Sequence, residues 1–464
     1  MLILKLNTMK KTFRVLLMLM MFSQVTFSQD GFESAFENEN NVSANLGVTT
    51  IGDQIFIGMR VQPEFSFGKF GLGLDVPLLF NASNGEMRTE EFNNGVGVLR
   101  MVRYLSYGKK KQDPVYVKLG DMTGEQLGYG AMLGNYSNSV SFERRKVGIS
   151  ADVTFKEIIG LEAIYSDLNF NGSQKLFAVR PYYRPFGKSN LPIIQTIEFG
   201  ASFASDKDDY EQSSIGGTIS STKFTRDGNS AFGFDVGAIL LKNILLKLTW
   251  DMQYTRLNKN EALANDIQNN PGNYATYSNT NYGAGSGFAT GLEAQFRFVA
   301  NIFHVNARIE RQWYGDNYIP QFFNFAYEIN KDTRLMELIG AEKSQGIYGK
   351  LGSEILSLVK IEGELLLPDN LEDSNRGAIV GVNLQTKEIG KFRARGKYLK
   401  AQLNDLGDAF KLDQRSLANL LITYRLNRFM ETGVDYQWTF AEKEDGSFRA
   451  LHQVRPYIGV SIKF

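Results

Sequence analysis

Four cations recur at alternate positions in one short segment: Lys391, Arg393, Arg395 and Lys397. In an extended strand that spacing stacks all four on one face. Such a ladder can attract anionic solutes or line a selective constriction. The same spacing puts Glu293 and Arg297 on one face of a segment, and Arg308 and Glu310 on one face of the next. Side by side, those two strands could pair their charges crosswise. Glu362, Glu364, Glu431 and Asp435 share the ladder's parity in nearby segments, so the ladder reads either as a selective stripe or as charge neutralised within a wall. Hydrolytic chemistry has little to work with, because the chain holds only two histidines, His304 and His452. Period places His304 on a charged face close to a turn and His452 on an apolar face, and neither position suits a base beside a nucleophile and a carboxylate. No catalytic residue is expected. With 0 Cys there is no disulfide, thiolate site or Cys nucleophile, so no metal and no cofactor is expected. Near-balanced charge, 51 Lys+Arg against 50 Asp+Glu, argues against a nucleic-acid partner.

These charges sit in segments built to cross something. From Ile302, the residues Phe303, Val305, Ala307, Ile309 and Trp313 fall on one face, with His304, Asn306, Arg308, Glu310 and Gln312 on the other. Leu246–Arg256 and Phe288–Phe298 repeat the alternation over a similar length, which is that of a tilted membrane-crossing strand. Apolar residues outside and polar residues within, sustained over many such segments, describe a transmembrane antiparallel up-and-down β-barrel. Tight turns near Gly68-Lys69, Lys156-Glu157, Lys242-Asn243 and Asn427-Arg428 alternate with long polar connections such as 206–230, 258–285 and 315–344. Short turns face the periplasm and long loops the exterior. Counting hairpins gives about 18 strands, with 16 the next choice.

Three features complete the plan. Lys10, Lys11 and Arg14 precede the apolar run Val15–Phe22, and Thr26 and Ser28 suit a signal peptidase. Residues 1–28 are therefore expected to be a removed signal peptide and 29–464 the barrel. At the other end Val454, Pro456, Ile458, Val460 and Ile462 share a face before the terminal Phe464. That ending resembles the C-terminal signature of outer-membrane barrels, and it implies that Phe464 is read by the barrel-assembly machinery. Between Asn81 and Arg144 the pattern breaks. Val98, Val102 and Leu105 recur at helical spacing, and the Gly-rich run Leu127–Asn138 follows. An external loop would rarely hold so many apolar residues, so 98–138 is expected to fold inward as a plug or constriction, with Leu99, Arg100, Arg103, Tyr129 and Tyr136 among its contact residues.

Pro63-Glu64-Phe65, Phe70-Gly71-Leu72-Gly73-Leu74-Asp75 and parts of the insert resemble a porin-like group of outer-membrane barrels from Gram-negative bacteria, over roughly residues 55–140. That group has no settled biochemical role, so the resemblance implies a fold and a place, the cell outer membrane, and transfers no site residue. The expected partners are outer-membrane lipid, lipopolysaccharide and the assembly machinery, with small solutes as cargo. The expected function is a channel or transport protein with a charged, partly plugged lumen. The alternative is a non-transporting barrel: a scaffold, an accessory subunit of an envelope complex, or a surface-binding protein.

Overall fold

Alternating sequences form strands whose two faces meet different media, and in the computed structural model they do so almost without interruption. The structure describes residues 41–463 except 52–53, 90–91, 93–94, 139–145, 169–174, 208–211, 215–216, 220–227, 275–281, 299–301, 325–326, 329–330, 371–377, 404–405, 412–415 and 443–447. The expected signal peptide and Phe464 lie outside the described residues. The first wall strands are β1 (Asn41–Ile51), β2 (Gln54–Phe67), β3 (Phe70–Leu74) and β4 (Val76–Asn81). β3 and β4 lie on β2 in one unbroken register, so they count as a single wall strand. Next come β5 (Val102–Tyr107), β6 (Val115–Gly120), β7 (Gly148–Phe155), β8 (Ile159–Tyr165), β9 (Phe177–Tyr183) and β10 (Glu198–Asp206). A separate small hairpin, β11 (Gln212–Ser214) with β12 (Gly217–Ile219), decorates the following loop. The wall resumes with β13 (Asn229–Lys242), β14 (Leu246–Leu257), β15 (Gly285–Phe298), β16 (Phe303–Tyr314), β17 (Ser344–Ile355) and β18 (Val359–Pro368). It ends with β19 (Ala378–Thr386), β20 (Phe392–Leu403), β21 (Ser416–Arg425), β22 (Met430–Glu442) and β23 (Phe448–Lys463).

Each wall strand pairs antiparallel with the next, and β23 returns to β1 from Asn41↔Lys463 to Leu46↔Ile458. The wall is therefore an up-and-down barrel of 20 strands. Its exterior is apolar: Ile57, Leu161, Phe234, Leu292, Ile309 and Leu351 are all exposed from outward-facing positions. A closed ladder with such a band satisfies every ring of backbone groups internally, as hydrocarbon requires. The chain is an outer-membrane β-barrel.

The count exceeds the 18 read from the sequence, and the reason is local. The helix expected from Val98 is α1 (Gly95–Arg100), and it stops there; Val102–Tyr107 and Val115–Gly120 are wall strands. β5 carries a bulge where Gly73↔Tyr104 gives way to Leu74↔Val102. One extra residue shifts parity, so outward Val102 and Leu105 stand three apart and imitate a helix. Only the part of the insert after Gly120 leaves the wall. Two further helices, α2 (Glu261–Asn269) and α3 (Lys331–Ile339), lie in the long connections after β14 and β16.

Candidate functional site

The inward segment begins at Asp121, and its course is fixed by what it touches. Ala131 N–H donates to Gln253 Oε1 of β14 at 2.9 Å, and Gly128 N–H donates to Glu162 Oε2 of β8 at 3.1 Å. From the periplasmic side the turn after β5 reaches up, with Lys110 Nζ on Glu125 Oε2 at 2.8 Å and Lys111 Nζ on the Gly128 carbonyl at 2.9 Å. On the exterior side, loop 315–343 comes down to meet it. Leu133 and Phe323 form a parallel bridge, Gln321 N–H donates to the Ala131 carbonyl, and Tyr136 Oη donates to Glu328 Oε1 at 2.6 Å. Together the two segments enclose an apolar core of Met122, Leu133, Phe322, Phe323, Tyr327 and Leu335. Burying one such side chain contributes about 1.5–3 kcal/mol, enough for several to hold a loop against its own entropy.

The inner wall is shaped to receive this plug. Gly237 of β13 faces the Tyr129 hydroxyl, and Gly287 of β15 faces the Tyr318 ring. A Cβ at either position would collide with the ring, so small residues on the wall set how closely the plug can approach.

Beneath the plug lies a buried charge centre. Arg180 of β9, 1% exposed, donates from Nη1 to Glu162 at 2.8 Å, from Nη2 to Glu198 at 2.6 Å and from Nε to Asp235 at 2.9 Å. Its guanidinium also lies 5.8 Å from the Tyr129 ring centre. A second centre forms around Arg308 of β16, which grips Asp251 through two 2.9 Å bonds, Glu310 at 2.6 Å and Glu293 at 3.6 Å. In the loop above, Glu328 is completely buried. Burial pushes its carboxyl up, but the ammonium groups of Lys146 at 2.6 Å and Lys331 at 3.6 Å outweigh burial and hold it below the ordinary value. Lys331 also reaches Asp206 at the end of β10, at 2.6 Å.

The other arc of the wall, β17 to β22, is lined differently. Lys350 pairs with Glu362 at 3.1 Å, yet their side chains keep 37% and 31% exposure. Tyr348 Oη donates to Glu364 at 3.2 Å, and Arg393 lies 3.7 Å from Glu431. Asn419 donates to Asp435 at 2.8 Å.

The residues singled out from the sequence divide accordingly. Glu293, Arg308 and Glu310 meet in one cluster; Arg297 stands apart, exposed and opposite His304 in register near the periplasmic end. Arg393, Arg395 and Lys397 occupy the inward face of β20, opposite Thr423, Leu421 and Asn419. Lys391 does not join them. It precedes the strand, and its ammonium lies 5.8 Å from the outward Tyr424 ring, drawn out of the lumen by an aromatic face. Tyr129 and Tyr136 lie in the plug, whereas Leu99 and Arg100 end α1 and are exposed and half-buried respectively. Arg103 belongs to the wall bulge, paired with Glu64 of β2. His452 stands opposite Trp438 in the β22–β23 register. The Arg180 centre escaped the sequence reading, although Glu162, Arg180, Glu198 and Asp235 hold the charged parity of successive strands. Length and polarity place loop 315–343 outside the barrel, whereas its aromatic density marks a segment with a core to fill.

No family model and no curated protein matches this chain. Among solved structures it is similar to Wzi of Escherichia coli, described as a carbohydrate-binding β-barrel of the outer membrane involved in group 1 capsule assembly. That match has 13% identity over 95% of this chain and 88% of that one, with a TM-score of 0.37. It is also similar to the ferric enterobactin receptor PfeA of Pseudomonas aeruginosa, at 11% identity, 92% and 81% coverage and a TM-score of 0.38. The siderophore receptor PirA of Acinetobacter baumannii gives 9%, 92%, 81% and 0.39. All three are outer-membrane proteins, and none transfers a residue role to this chain.

Proposed function

We propose that this barrel conducts small solutes along one side of its lumen, past an inward segment that fills the other. The observation that supports this reading is the contrast in exposure among inward charges: Lys350 and Glu362 keep about a third of their surface, whereas Arg180 keeps 1%. Charged side chains that remain hydrated on an inner wall line water, and a barrel of this size leaves space for it. A passage bounded by Lys350, Glu362, Arg393 and Arg395 carries both signs, and such a passage discriminates by size and charge placement more than by net charge.

The decisive measurement is single-channel conductance of the purified protein in a planar bilayer. Discrete ohmic steps are expected. Replacing residues 121–138 by a short Gly/Ser linker, which spares β5 and β6, should raise the step several-fold. A folded barrel that passes no current would overturn the transport reading in favour of a non-transporting scaffold or accessory barrel. The ion-paired anchoring of loop 315–343 above the plug, at Lys331–Asp206 and Lys146–Glu328, is the feature that favours this second reading.

A further inference from the structure

The periplasmic turns are basic, and five of the exposed cations there share one arrangement. Lys156, Lys188, Lys242, Lys391 and Arg428 are all exposed, and each belongs to or borders a short turn. Among the described residues none of the five has a carboxylate within ion-pair distance. Other cations on that side are already engaged: Lys69 by Asp113, Lys110 by Glu125, Arg184 by Glu198 and Arg425 by Glu388. The long connections on the opposite side carry more acids than bases, as in 369–377 and 315–343. The molecule is thus polarised along its axis.

Each of the five has an exposed apolar neighbour. Phe155 precedes Lys156, Phe186 stands two before Lys188, Ile244 two after Lys242, Ile389 two before Lys391, and Phe429 follows Arg428. Ile244 is 89% exposed. Three of the cations lie against rings: Lys156 Nζ is 5.0 Å from Phe155, Arg428 5.5 Å from Phe429 and Lys391 5.8 Å from Tyr424. Phe155 and Tyr424 have outward parity, so Lys156 and Lys391 lean towards the barrel's outer circumference and away from the pore mouth. An apolar group with a cation beside it suits the boundary between acyl chains and headgroups.

We propose that this rim binds acidic phospholipid headgroups of the periplasmic leaflet, one phosphate-bearing group per turn. The apolar neighbour enters the acyl region while the Lys or Arg meets the phosphate. The occupant is lipid, because the apolar side chain beside each cation is exposed and Phe155 and Tyr424 face the outer circumference, the surface that a bilayer covers.

The test uses the full-length barrel in nanodiscs containing equal phosphatidylglycerol and phosphatidylcholine, followed by native mass spectrometry of retained lipid. Wild type should retain phosphatidylglycerol several-fold over phosphatidylcholine, and the preference should shrink in high salt. The variant Lys156→Gln/Lys188→Gln/Lys242→Gln/Lys391→Gln/Arg428→Gln should retain the two equally. Equal retention by wild type overturns the proposal, as does a preference that survives in the variant. If the variant does not fold, the salt series on wild type decides alone: a preference insensitive to salt overturns it. Soluble polyglutamate that displaces the bound lipid at matched charge concentration would reassign the rim to an acidic polypeptide.

Discussion

The arc from β7 to β16 and the arc from β17 to β22 are built from the same kinds of inward residue, and they treat them oppositely. In the first, arginines are enclosed by carboxylates from several strands, glycines and alanines replace bulk, and a folded segment presses against the wall. In the second, Lys350 and Glu362 pair with each other and keep about a third of their surface, and Arg393 lies 3.7 Å from Glu431. The first arc is organised as a protein interior and the second as a surface turned inward. An ion pair is costly to break where water cannot replace the missing partner, and cheap where it can.

That contrast yields a graded set of outcomes. The largest belongs to Arg180→Ala, which removes the cation shared by Glu162, Glu198 and Asp235 and leaves Glu198 with Arg184 as its close partner. It should cost about 3–5 kcal/mol, read from the urea midpoint of the folded band on unheated gels. Arg393→Ala in the exposed arc should cost under about 1 kcal/mol in the same assay. Equal losses would erase the distinction between the arcs.

Next is packing. Gly237→Val should displace Tyr129 and cost about 1–3 kcal/mol, while loosening the plug enough to raise conductance. At Gly363 an added Cβ would meet only the Gly381 carbonyl at ordinary contact distance, so Gly363→Ala should be close to neutral. A reversed order would mean that the plug does not press on its wall.

Acid should act on the plugged side first. The Glu328 carboxyl is held below its ordinary value in the folded state. Its contribution is therefore complete above the unfolded value and is lost as pH falls through the folded one. Conductance should rise, or protease access to 121–138 should increase, in that acid window. Glu328→Gln should remove this component of the pH response.

The smallest effect should be the same in both arcs. Lys156-Glu157 and Leu356-Ser357 form turns with positive φ at all four residues, where glycine or asparagine would sit without strain. Asn-Gly at either turn should stabilise by up to about 1 kcal/mol. A difference between the two turns would show that the arcs also differ at the rim.

The wall was legible because lipid outside and water or charge within force period two on nearly every strand. The β15–β16 hairpin shows it plainly: Glu293 stands opposite Arg308, as the alternation implies. Legibility failed where one residue broke the period. The bulge at Arg103 shifted parity and hid one strand, Val102–Tyr107, inside an apparent helix. The plug's position could be inferred from apolar and glycine content, but its partners could not. Loop 315–343 lies far along the chain, and a contact such as Leu133 with Phe323 leaves no local trace. Arg180 was missed for a related reason: its carboxylates come from three strands, so the centre exists only after the registers are known.

The bridge between Leu133 and Phe323 also bears on how the molecule loosens. The plug's described contacts with the wall and the loop above it fall between Arg103 and Ile339. That stretch has a core of its own, whereas β17 to β23 add wall without adding to that core. Cooperative opening units follow such divisions of buried area. Amide protons from β7 to β16 should therefore exchange with deuterium as one slow group, and those of β17 to β23 as a faster one. That pattern would make the barrel a closed ring in its hydrogen bonding and a two-part body in its energetics, breathing along one arc while the other keeps its shape.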